Sequence, residues 1–375
     1  MAEHPIRFGI IGCATIATKV ARAINLAPNS LLYAVGSRSI DKAKSFAAVN
    51  GLSDTVKLYG SYDQVLDDPC VDVVYLPLPT SLHVHWAVLA ARKKKHLLLE
   101  KPTALDLTEL DRILEACESN GVQFMDGSMW LHHPRTVKMK EMLFDSGLLG
   151  QVHLIHSTAT SMGMTEFFEN NIRVKADLDA LGALGDLGWY CIGATLWSKN
   201  YKLPTSVTAL PDTLKNSDGV ILSCTASLHY YDDDDQPIKK STTAIIHCSF
   251  LSYTCTDLSI SASKGSLHLK DFIIPFQEDS AFFNYTLDAK LVELHIGWNI
   301  VKPEKVVVDC ELPQEALMVQ ELARIVEGIK KSGCRPDSKW PEISRKTQLV
   351  MDAIKQCVDL GCKPVYLTEN RTHYN

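Results

Sequence analysis

The sequence predicts an α/β protein, with an N-terminal doubly wound parallel sheet and a C-terminal α+β domain built on a large, mostly antiparallel sheet. Strand and helix patterns alternate along roughly the first third of the 375 residues, which is typical of a parallel sheet with helical crossovers. After residue 150 the pattern changes to long segments rich in β-branched and aromatic residues, which favours antiparallel strands. The length suits two cores, so we expect domains over residues 1–128 and 129–375.

The N-terminal elements follow from hydrophobic periodicity. Residues 7–12 are a short apolar run, and the segment after them has apolar residues at helical spacing. Residues 71–78 are almost wholly apolar, as expected for a strand covered on both faces. The predicted strands are 7–12, 31–36, 71–78, 97–100 and 122–126, and the predicted helices are 15–27, 41–50, 81–92 and 108–120.

The C-terminal domain is predicted to consist mainly of strands. One clear helix, over residues 182–197, interrupts them, and two helices over residues 313–331 and 341–360 close the chain. The predicted strands are 151–161, 220–230, 243–253, 258–276 and 284–296.

Composition narrows the class of partner. The net charge of -6 gives no general attraction to nucleic acid or to anionic lipid, so we expect neither as a partner. The basic run Arg92-Lys93-Lys94-Lys95 is interpreted as the solvated C-terminal end of a helix.

The eleven cysteines and the N-terminus indicate the compartment. The cysteines are scattered and none forms a Cys-x-x-Cys pair, so we expect neither disulfides nor any metal site. The first residues carry no basic segment followed by an apolar one, and no apolar run has transmembrane length. We expect a soluble protein of the cytoplasm.

A glycine-containing turn follows the first strand and opens the first helix. Its residues Gly12-Cys13-Ala14-Thr15-Ile16-Ala17 match the dinucleotide fingerprint Gly-x-Gly-x-x-Gly/Ala at the first and third positions. Ala14 departs from the second glycine, and its methyl group narrows the approach of a pyrophosphate. We predict a Rossmann domain that binds a dinucleotide through Gly12, Cys13, Ala14, Thr15 and Ile16; the alternative is a similar sheet without a nucleotide.

The end of the second strand bears on the choice between NADP and NAD. An NAD-specific domain usually has Asp or Glu there for the ribose 2′-hydroxyl, whereas this chain has Ser37-Arg38-Ser39. Arg38 can pair with a 2′-phosphate and Ser37 can donate a hydrogen bond, so NADP is favoured over NAD. The alternative is that Arg38 is an exposed residue of a turn.

Two segments carry candidate chemistry. The strand 97–100 ends in Glu100-Lys101-Pro102, at the sheet edge where ligands of open α/β sheets bind. In Gly185-Asp186-Leu187-Gly188-Trp189-Tyr190, Asp186 and Tyr190 are four residues apart, which places both on one face of an α-helix. Each also has a structural interpretation: a Lys-Pro turn, and a core tyrosine with a capping aspartate.

Taken together, these segments resemble the glucose–fructose oxidoreductase/inositol dehydrogenase/MocA family. The resemblance extends over the whole chain and rests on the following stretches: Phe8-Gly9-Ile10-Ile11-Gly12-Cys13, Val74 through His83, Glu100-Lys101-Pro102, Met129-Trp130 through His133-Pro134, and Gly185 through Tyr190. It implies an NAD(P)-binding domain, a substrate that meets the nicotinamide, and pairing of chains through the open face of the second sheet. A homodimer or larger homo-oligomer is therefore expected.

The resemblance also implies roles for individual residues. Asp186-x-x-x-Tyr190 is similar to the branch with glucose–fructose oxidoreductase and the dimeric dihydrodiol and xylose dehydrogenases, in which tyrosine is the acid/base and NADP is preferred. Tyr190 would exchange a proton with a substrate hydroxyl, Lys101 would favour its phenolate, and Asp186 would orient the substrate or Lys101. Further cofactor-binding candidates are Pro77, Leu78, Pro79, Thr80, His83, Glu100 and Lys101, and substrate candidates are Trp130 and His133.

The predicted activity is hydride transfer between the nicotinamide and a hydroxyl or carbonyl of a sugar, polyol or vicinal diol. The alternatives are a non-catalytic dinucleotide-binding protein that keeps the fold, as a sensor or structural subunit, and an oxidoreductase acting on an unrelated carbonyl. For His83 and His133, structural capping is an equal alternative to a role in the pocket.

Overall fold

The computed structural model describes residues 4–231, 241–288, 290–293, 297–299 and 302–367. The chain divides into two compact units. The first consists of Met1–His132, Asp177–Ala180 and Leu312–Gln348, and the second of His133–Ala176, Leu181–Glu311 and Leu349–Asn375. The first unit thus takes in two segments that lie far along the sequence from the predicted domain 1–128.

The first unit contains a parallel sheet. Among the described residues it has six strands in the order β3-β2-β1-β4-β5-β6, which is the doubly wound order of a Rossmann domain. The strands are β1 (Ile6–Ile11), β2 (Ser30–Gly36), β3 (Lys57–Tyr59), β4 (Val73–Leu76), β5 (His96–Leu99) and β6 (Phe124–Asp126). The helices that connect them are α1 (Thr15–Leu26), α2 (Ile40–Val49), α3 (Tyr62–Asp67), α4 (His83–Arg92) and α5 (Leu107–Asn120).

Local sequence explains most of these elements. Every residue of β4 and β5 is buried, because both faces of the central strands are covered. Helix α5 begins where Asp106 accepts a hydrogen bond from the Glu109 backbone N–H at 2.9 Å, and it ends at Gly121 with a left-handed φ of 65°. The sequence analysis missed β3 and α3, which are too short, at three and six residues, for periodicity to reveal.

The second unit is built on the predicted large sheet. Within the described residues its ten strands run in the order β17-β14-β13-β12-β7-β11-β10-β8-β18, with β9 paired to β10, and only β7 and β11 pair in parallel. The strands are β7 (Val152–Thr160), β8 (Ser206–Ala209), β9 (Leu214–Lys215), β10 (Ile221–Tyr231), β11 (Ser241–Ser249), β12 (Cys255–Ala262), β13 (Gly265–Leu269), β14 (Ser280–Leu287), β17 (Glu304–Asp309) and β18 (Val365–Tyr366). A separate antiparallel pair consists of β15 (Lys290–Glu293) and β16 (Gly297–Asn299).

Two strand predictions need correction. The single strand predicted over residues 258–276 is wrong, because the chain turns back to form the antiparallel pair β12 and β13. The single strand predicted over residues 284–296 is wrong as well, because β14 ends at Leu287 and Lys290–Glu293 form β15 of the separate pair. Residues 289 and 294–296 lie outside the described residues.

The helices of the second unit also differ from prediction. Two short helices, α6 (Pro134–Lys140) and α7 (Thr165–Asn170), were not predicted from the sequence. The predicted helix 182–197 contains a π turn over Leu184–Gly188, which is followed by α8 (Trp189–Ser198). Near the C-terminus, α9 (Gln314–Ser332) belongs to the first unit, and α10 (Lys339–Asp359) begins in the first unit and ends in the second. They confirm the last two predicted helices.

Candidate functional site

The turn after β1 has the geometry of a phosphate-binding loop. Gly12 has a φ of +113°, and a Cβ atom there would lie 2.8 Å from Leu78 Cδ2, so this position requires glycine. Ala14 has an ordinary extended backbone and precedes α1, whose N-terminus has no side-chain cap and no acidic residue in its first turn. Such a helix end offers free backbone N–H groups to an anion. A methyl group at position 14 therefore needs no unusual backbone geometry.

The end of β2 lies beside this turn. Ser37 is buried, and its side chain hydrogen-bonds the thiol of Cys13; burial raises the pKa of that thiol, and this hydrogen bond partly offsets the increase. Arg38 is exposed, and Ser39 accepts a hydrogen bond from the Asp41 N–H at the start of α2. Arg38 is therefore presented to solvent at the position where a 2′-phosphate is expected.

Sequence analysis missed Tyr62, which lies at the start of α3 close to Arg38. Burial raises the pKa of the Tyr62 phenol, and the positive charge of Arg38 partly offsets that increase. The ring of Tyr62 packs edge-on against Trp86, with centroids 5.0 Å apart. Tyr62 could have been identified from its position just after a strand of the parallel sheet. It was missed because β3 was not predicted.

The loop after β4 is held by two sets of hydrogen bonds. The backbone N–H and hydroxyl of Thr80 donate to Asp179 Oδ1 at 2.9 and 3.0 Å. The ring of His83 is buried, with Nε2 2.8 Å from the Leu78 carbonyl and Nδ1 3.1 Å from the Thr103 carbonyl. Burial lowers the pKa of His83. His83 thus ties the loop after β4 to the loop after β5, and its predicted contact with a cofactor stays a prediction.

Glu100 is a buried carboxylate at the end of β5. The hydroxyl of Tyr75 donates to Glu100 Oε1 at 2.5 Å, and the Lys101 N–H donates to Oε2 at 3.2 Å. Burial raises the pKa of Glu100, while these two donors and the charge of Lys101 favour its ionised form. Gly127 leaves room for the carboxylate, since a Cβ there would lie 3.1 Å from both oxygens. The next peptide bond, Lys101–Pro102, is cis.

The two substrate candidates have different surroundings. Trp130 is 2% exposed and lies in the 3₁₀ helix Met129–His132. His133 caps α6, with Nδ1 accepting a hydrogen bond from the Arg135 N–H at 2.9 Å. Burial and the charge of Arg135 lower the pKa of His133 to about 4. The capping role considered for His133 is therefore confirmed, and its role toward substrate stays a prediction.

Asp186 and Tyr190 belong to the second unit. Asp186 lies in the π-helical turn Leu184–Gly188, and Tyr190 is the second residue of α8 and 8% exposed. The α-helical spacing assumed for the two residues is therefore wrong at Asp186; π turns within helices occur frequently at functional sites. Asp186 pairs with Arg173, with Nε 2.9 Å from Oδ1. Sequence analysis missed Arg173 because nothing in the chain pattern links residues 173 and 186.

The glycines around Asp186 serve packing against the sheet. Gly182 has a φ of +59°, and a Cβ there would lie 2.1 Å from the Ile221 carbonyl oxygen. A Cβ at Gly188 would lie 3.3 Å from Cys248 Sγ. Gly182 therefore faces strand β10, and Gly188 faces strand β11.

The described parts of the chain contain neither a cluster of metal ligands nor a membrane-spanning helix. No group of three or more His, Cys, Asp or Glu residues there is placed to hold a metal ion. No helix there combines the length and apolar character needed to cross a membrane.

Two stretches of the chain match domains of known protein families. Residues 6–128 match an oxidoreductase family with an NAD-binding Rossmann fold, and residues 136–268 match the GFO/IDH/MocA C-terminal domain. The chain belongs to the GFO/IDH/MocA oxidoreductase family. This confirms the resemblance found in the sequence, and it accounts for a parallel sheet followed by a large antiparallel one.

Individual GFO/IDH/MocA relatives act on sugars and diols. A dTDP-3,4-didehydro-2,6-dideoxy-alpha-D-glucose 3-reductase of Actinomadura kijaniata is 38% identical over 192 residues, which are 51% of this chain and 55% of the relative. The bovine trans-1,2-dihydrobenzene-1,2-diol dehydrogenase is 26% identical over 71% of this chain and 74% of its own. The match to the first of these thus spans about half of that relative's length.

A solved structure matches over most of the chain. KijD10, a 3-ketoreductase from Actinomadura kijaniata crystallised with NADP and TDP-benzene, has a TM-score of 0.75 and 25% identity. The match covers 94% of this chain and 98% of KijD10. The fold predicted from sequence is confirmed by this match together with the two sheets.

Proposed function

We propose that this GFO/IDH/MocA family member is an NADP(H)-dependent oxidoreductase. It transfers hydride between the nicotinamide and a hydroxyl or carbonyl carbon of a sugar, polyol or vicinal diol. The observation that carries the proposal is the Gly12 turn at the uncapped N-terminus of α1, with Arg38 exposed at the end of β2. The relatives named above, which act on sugars and diols, and the NADP in KijD10 support it.

The residues of the first unit fit a dinucleotide. Gly12, where a Cβ would meet Leu78, allows the tight turn into α1, and the N–H groups at the start of α1 would bind the charge of a pyrophosphate. Arg38 and Ser37 would bind the 2′-phosphate, since a guanidinium makes strong charge-assisted hydrogen bonds to phosphate. The loop of Pro77, Leu78, Pro79 and Thr80 would lie along the nicotinamide ribose, in the shape that Asp179 and His83 give it.

The proposed chemistry assigns proton transfer to this chain's own side chains. When bound, the nicotinamide supplies or accepts the hydride. Tyr190 Oη accepts the proton of the substrate hydroxyl during oxidation and returns it to the alkoxide during reduction. Lys101 Nζ favours the phenolate by its charge, and Glu100 holds the Lys101 backbone through the 3.2 Å hydrogen bond. Asp186 orients the substrate.

Domain roles, assembly and location complete the proposal. Residues 1–128 would bind the cofactor, and residues 129–375 would bind substrate and pair with a second copy through the large sheet. The face that would pair carries a row of partly exposed polar residues at paired positions of β10, β11, β7 and β12: Thr225, His247, Thr158 and Asp257. All eleven cysteines lie in the described residues and are free thiols, which supports a reducing cytoplasm.

Binding and turnover test the proposal in sequence. The purified protein is titrated with NADPH and NADH while energy transfer from tryptophan to the nicotinamide is followed. Sugars, inositols and vicinal diols are then screened with NADP⁺, and the matching ketones with NADPH. Tighter binding of NADPH together with turnover supports the proposal. Binding without turnover of any compound favours a non-catalytic dinucleotide-binding protein, and no binding of either cofactor rejects the proposal.

A further inference from the structure

The ion pair of Arg173 and Asp186 joins two helical turns of the second unit. Arg173 lies in the 3₁₀ turn Ile172–Val174 and Asp186 in the π turn Leu184–Gly188. The Arg173 side chain is 37% exposed and that of Asp186 is 17% exposed, with Nε and Oδ1 2.9 Å apart. Because the carboxylate is largely shielded from water, this pair is screened less than a surface pair.

The backbone on both sides of Arg173 is anchored. Asn171 Oδ1 accepts a hydrogen bond from the Arg173 N–H at 3.0 Å. Val174 is 1% exposed and packs in a core cluster with Ala183 and Phe250. The Val174 carbonyl also accepts a hydrogen bond from Asn216 Nδ2 at 2.9 Å. The guanidinium therefore extends from a fixed base.

Both turns are fixed against the beginning of the same strand, β10. Asn216, which holds Val174, also accepts a hydrogen bond from the Val220 N–H at 2.9 Å through Oδ1. Gly182, just before the π turn, lies against the Ile221 carbonyl so closely that a Cβ would come within 2.1 Å. The distance between Arg173 and Asp186 is thus set by packing on both sides.

We propose that Arg173 is a positioning residue for hydride transfer and acts through Asp186. This inference rests on the proposed function and on the role given there to Asp186. The guanidinium holds the Asp186 carboxylate in one orientation and balances its charge. In this way Asp186 is kept ready to accept a hydrogen bond from a neighbouring hydroxyl of the substrate, which places the reacting hydroxyl so that Tyr190 can take its proton.

The test compares kcat, KM and NADPH binding in matched variants. Arg173→Met keeps much of the length of the side chain without its charge, and Arg173→Lys restores the charge. Lys215→Met removes a similarly exposed cation of the same unit, which pairs with Asp359 at 3.1 Å with 35% of its side chain exposed. Asp186→Asn and the double variant Arg173→Met/Asp186→Asn complete a double-mutant cycle, which measures the energetic coupling between Arg173 and Asp186.

We expect Arg173→Met to lower kcat about 10- to 100-fold, the range for loss of a hydrogen bond to a charged group, with NADPH binding unchanged. Arg173→Lys should recover most of that loss, Lys215→Met should match the unaltered protein, and the double variant should be no slower than Asp186→Asn. The inference is overturned if Arg173→Met keeps full kcat, if the two losses multiply, or if NADPH binding falls with kcat. If the unaltered protein turns over no compound of the screen, the proposed function has failed, and the inference fails with it.

Discussion

The guanidinium of Arg135 and the carboxylate of Asp271 form an ion pair buried in the second unit. Arg135 Nη1 lies 2.6 Å from Asp271 Oδ1, and the two side chains are 2% and 4% exposed. Arg135 Nη2 donates to the Asp271 carbonyl at 2.9 Å, and the Phe276 N–H donates to Asp271 Oδ2 at 2.9 Å. The pair thus fastens α6 to the chain that follows β13.

Breaking this ion pair should destabilise the protein. Arg135→Met leaves the Asp271 charge buried without its guanidinium, which typically costs about 3–5 kcal/mol of unfolding free energy. Urea unfolding measures that loss. The control is Lys138→Met on the same helix, whose pair with Glu141 at 2.8 Å is about half exposed and is expected to contribute about 0–1 kcal/mol. Equal stability of the two variants would contradict the prediction.

The Gly182 position should reject any side chain. Gly182 and Gly147 have nearly equal φ angles, +59° and +60°, but a Cβ at 182 meets the Ile221 carbonyl oxygen at 2.1 Å while nothing lies within 4 Å of one at 147. Gly147→Ala should cost about 1 kcal/mol of backbone strain. Gly182→Ala adds a clash with backbone and should lower the thermal unfolding midpoint much further. Similar midpoints for the two variants would show that the turn can move away from β10.

Arg38 should decide cofactor preference. Arg38→Ala removes the charged donor proposed for the 2′-phosphate, so NADPH should bind about 10- to 100-fold more weakly while NADH binding changes little. Lys44→Ala, which removes another exposed cation nearby in the chain, is the control and should affect neither cofactor. Energy-transfer titration measures all four dissociation constants. Equal losses of affinity for NADPH and NADH would show that Arg38 does not bind the 2′-phosphate.

Tyr190 should be essential for turnover and dispensable for cofactor binding. Tyr190→Phe removes the hydroxyl that exchanges the proton, so kcat should fall about 10²- to 10⁴-fold with unchanged NADPH affinity. Steady-state kinetics and the same titration make the comparison. Full turnover by this variant would end the proposed role. Loss of NADPH binding would instead indicate a structural role.

Two buried histidines should make stability depend on pH. His96 Nδ1 accepts the Gln123 N–H at 2.8 Å, and His133 Nδ1 accepts the Arg135 N–H at 2.9 Å. Burial lowers the pKa of each to about 4, and a proton on either Nδ1 would abolish the bond it accepts. Unfolding raises each pKa to about 6.5, so the unfolded chain binds more protons between pH 6.5 and 4.

Each histidine should therefore lower stability by about 1.4 kcal/mol per pH unit as pH falls through that window. Urea unfolding at pH 7 and pH 5 measures the slope. In the variant His96→Asn/His133→Asn the amide oxygens can accept the same bonds without titrating, so its slope should be smaller. The difference in slope between this variant and the unaltered protein reports the contribution of the two histidines. Burial raises the pKa values of Glu100 and Asp126, so these carboxyl groups increase stability as pH falls, opposite to the histidines. An unchanged slope would contradict the assignment.

Much of the candidate site was predictable because its residues follow strands of a parallel sheet. The turn at Gly12, the exposed Arg38 and the segment at Glu100 each come directly after a strand, and that position alone places them at one edge. The sequence missed Tyr62 because β3 is only three residues long. The sequence analysis also predicted α-helical geometry at Asp186, because hydrophobic periodicity does not distinguish a π turn from an α-helix.

The sequence by itself determined most of the alternation of strands and helices and the glycine that the first turn requires, because these depend on periodicity and local backbone limits. The family followed from the resemblance of its motifs. Only the tertiary structure decided which distant side chains meet: Tyr75 with Glu100, Thr80 with Asp179, Arg173 with Asp186 and Arg135 with Asp271. The partners in these pairs are 13 to 136 residues apart. Their contacts follow from how the strands and helices pack, which no local pattern records.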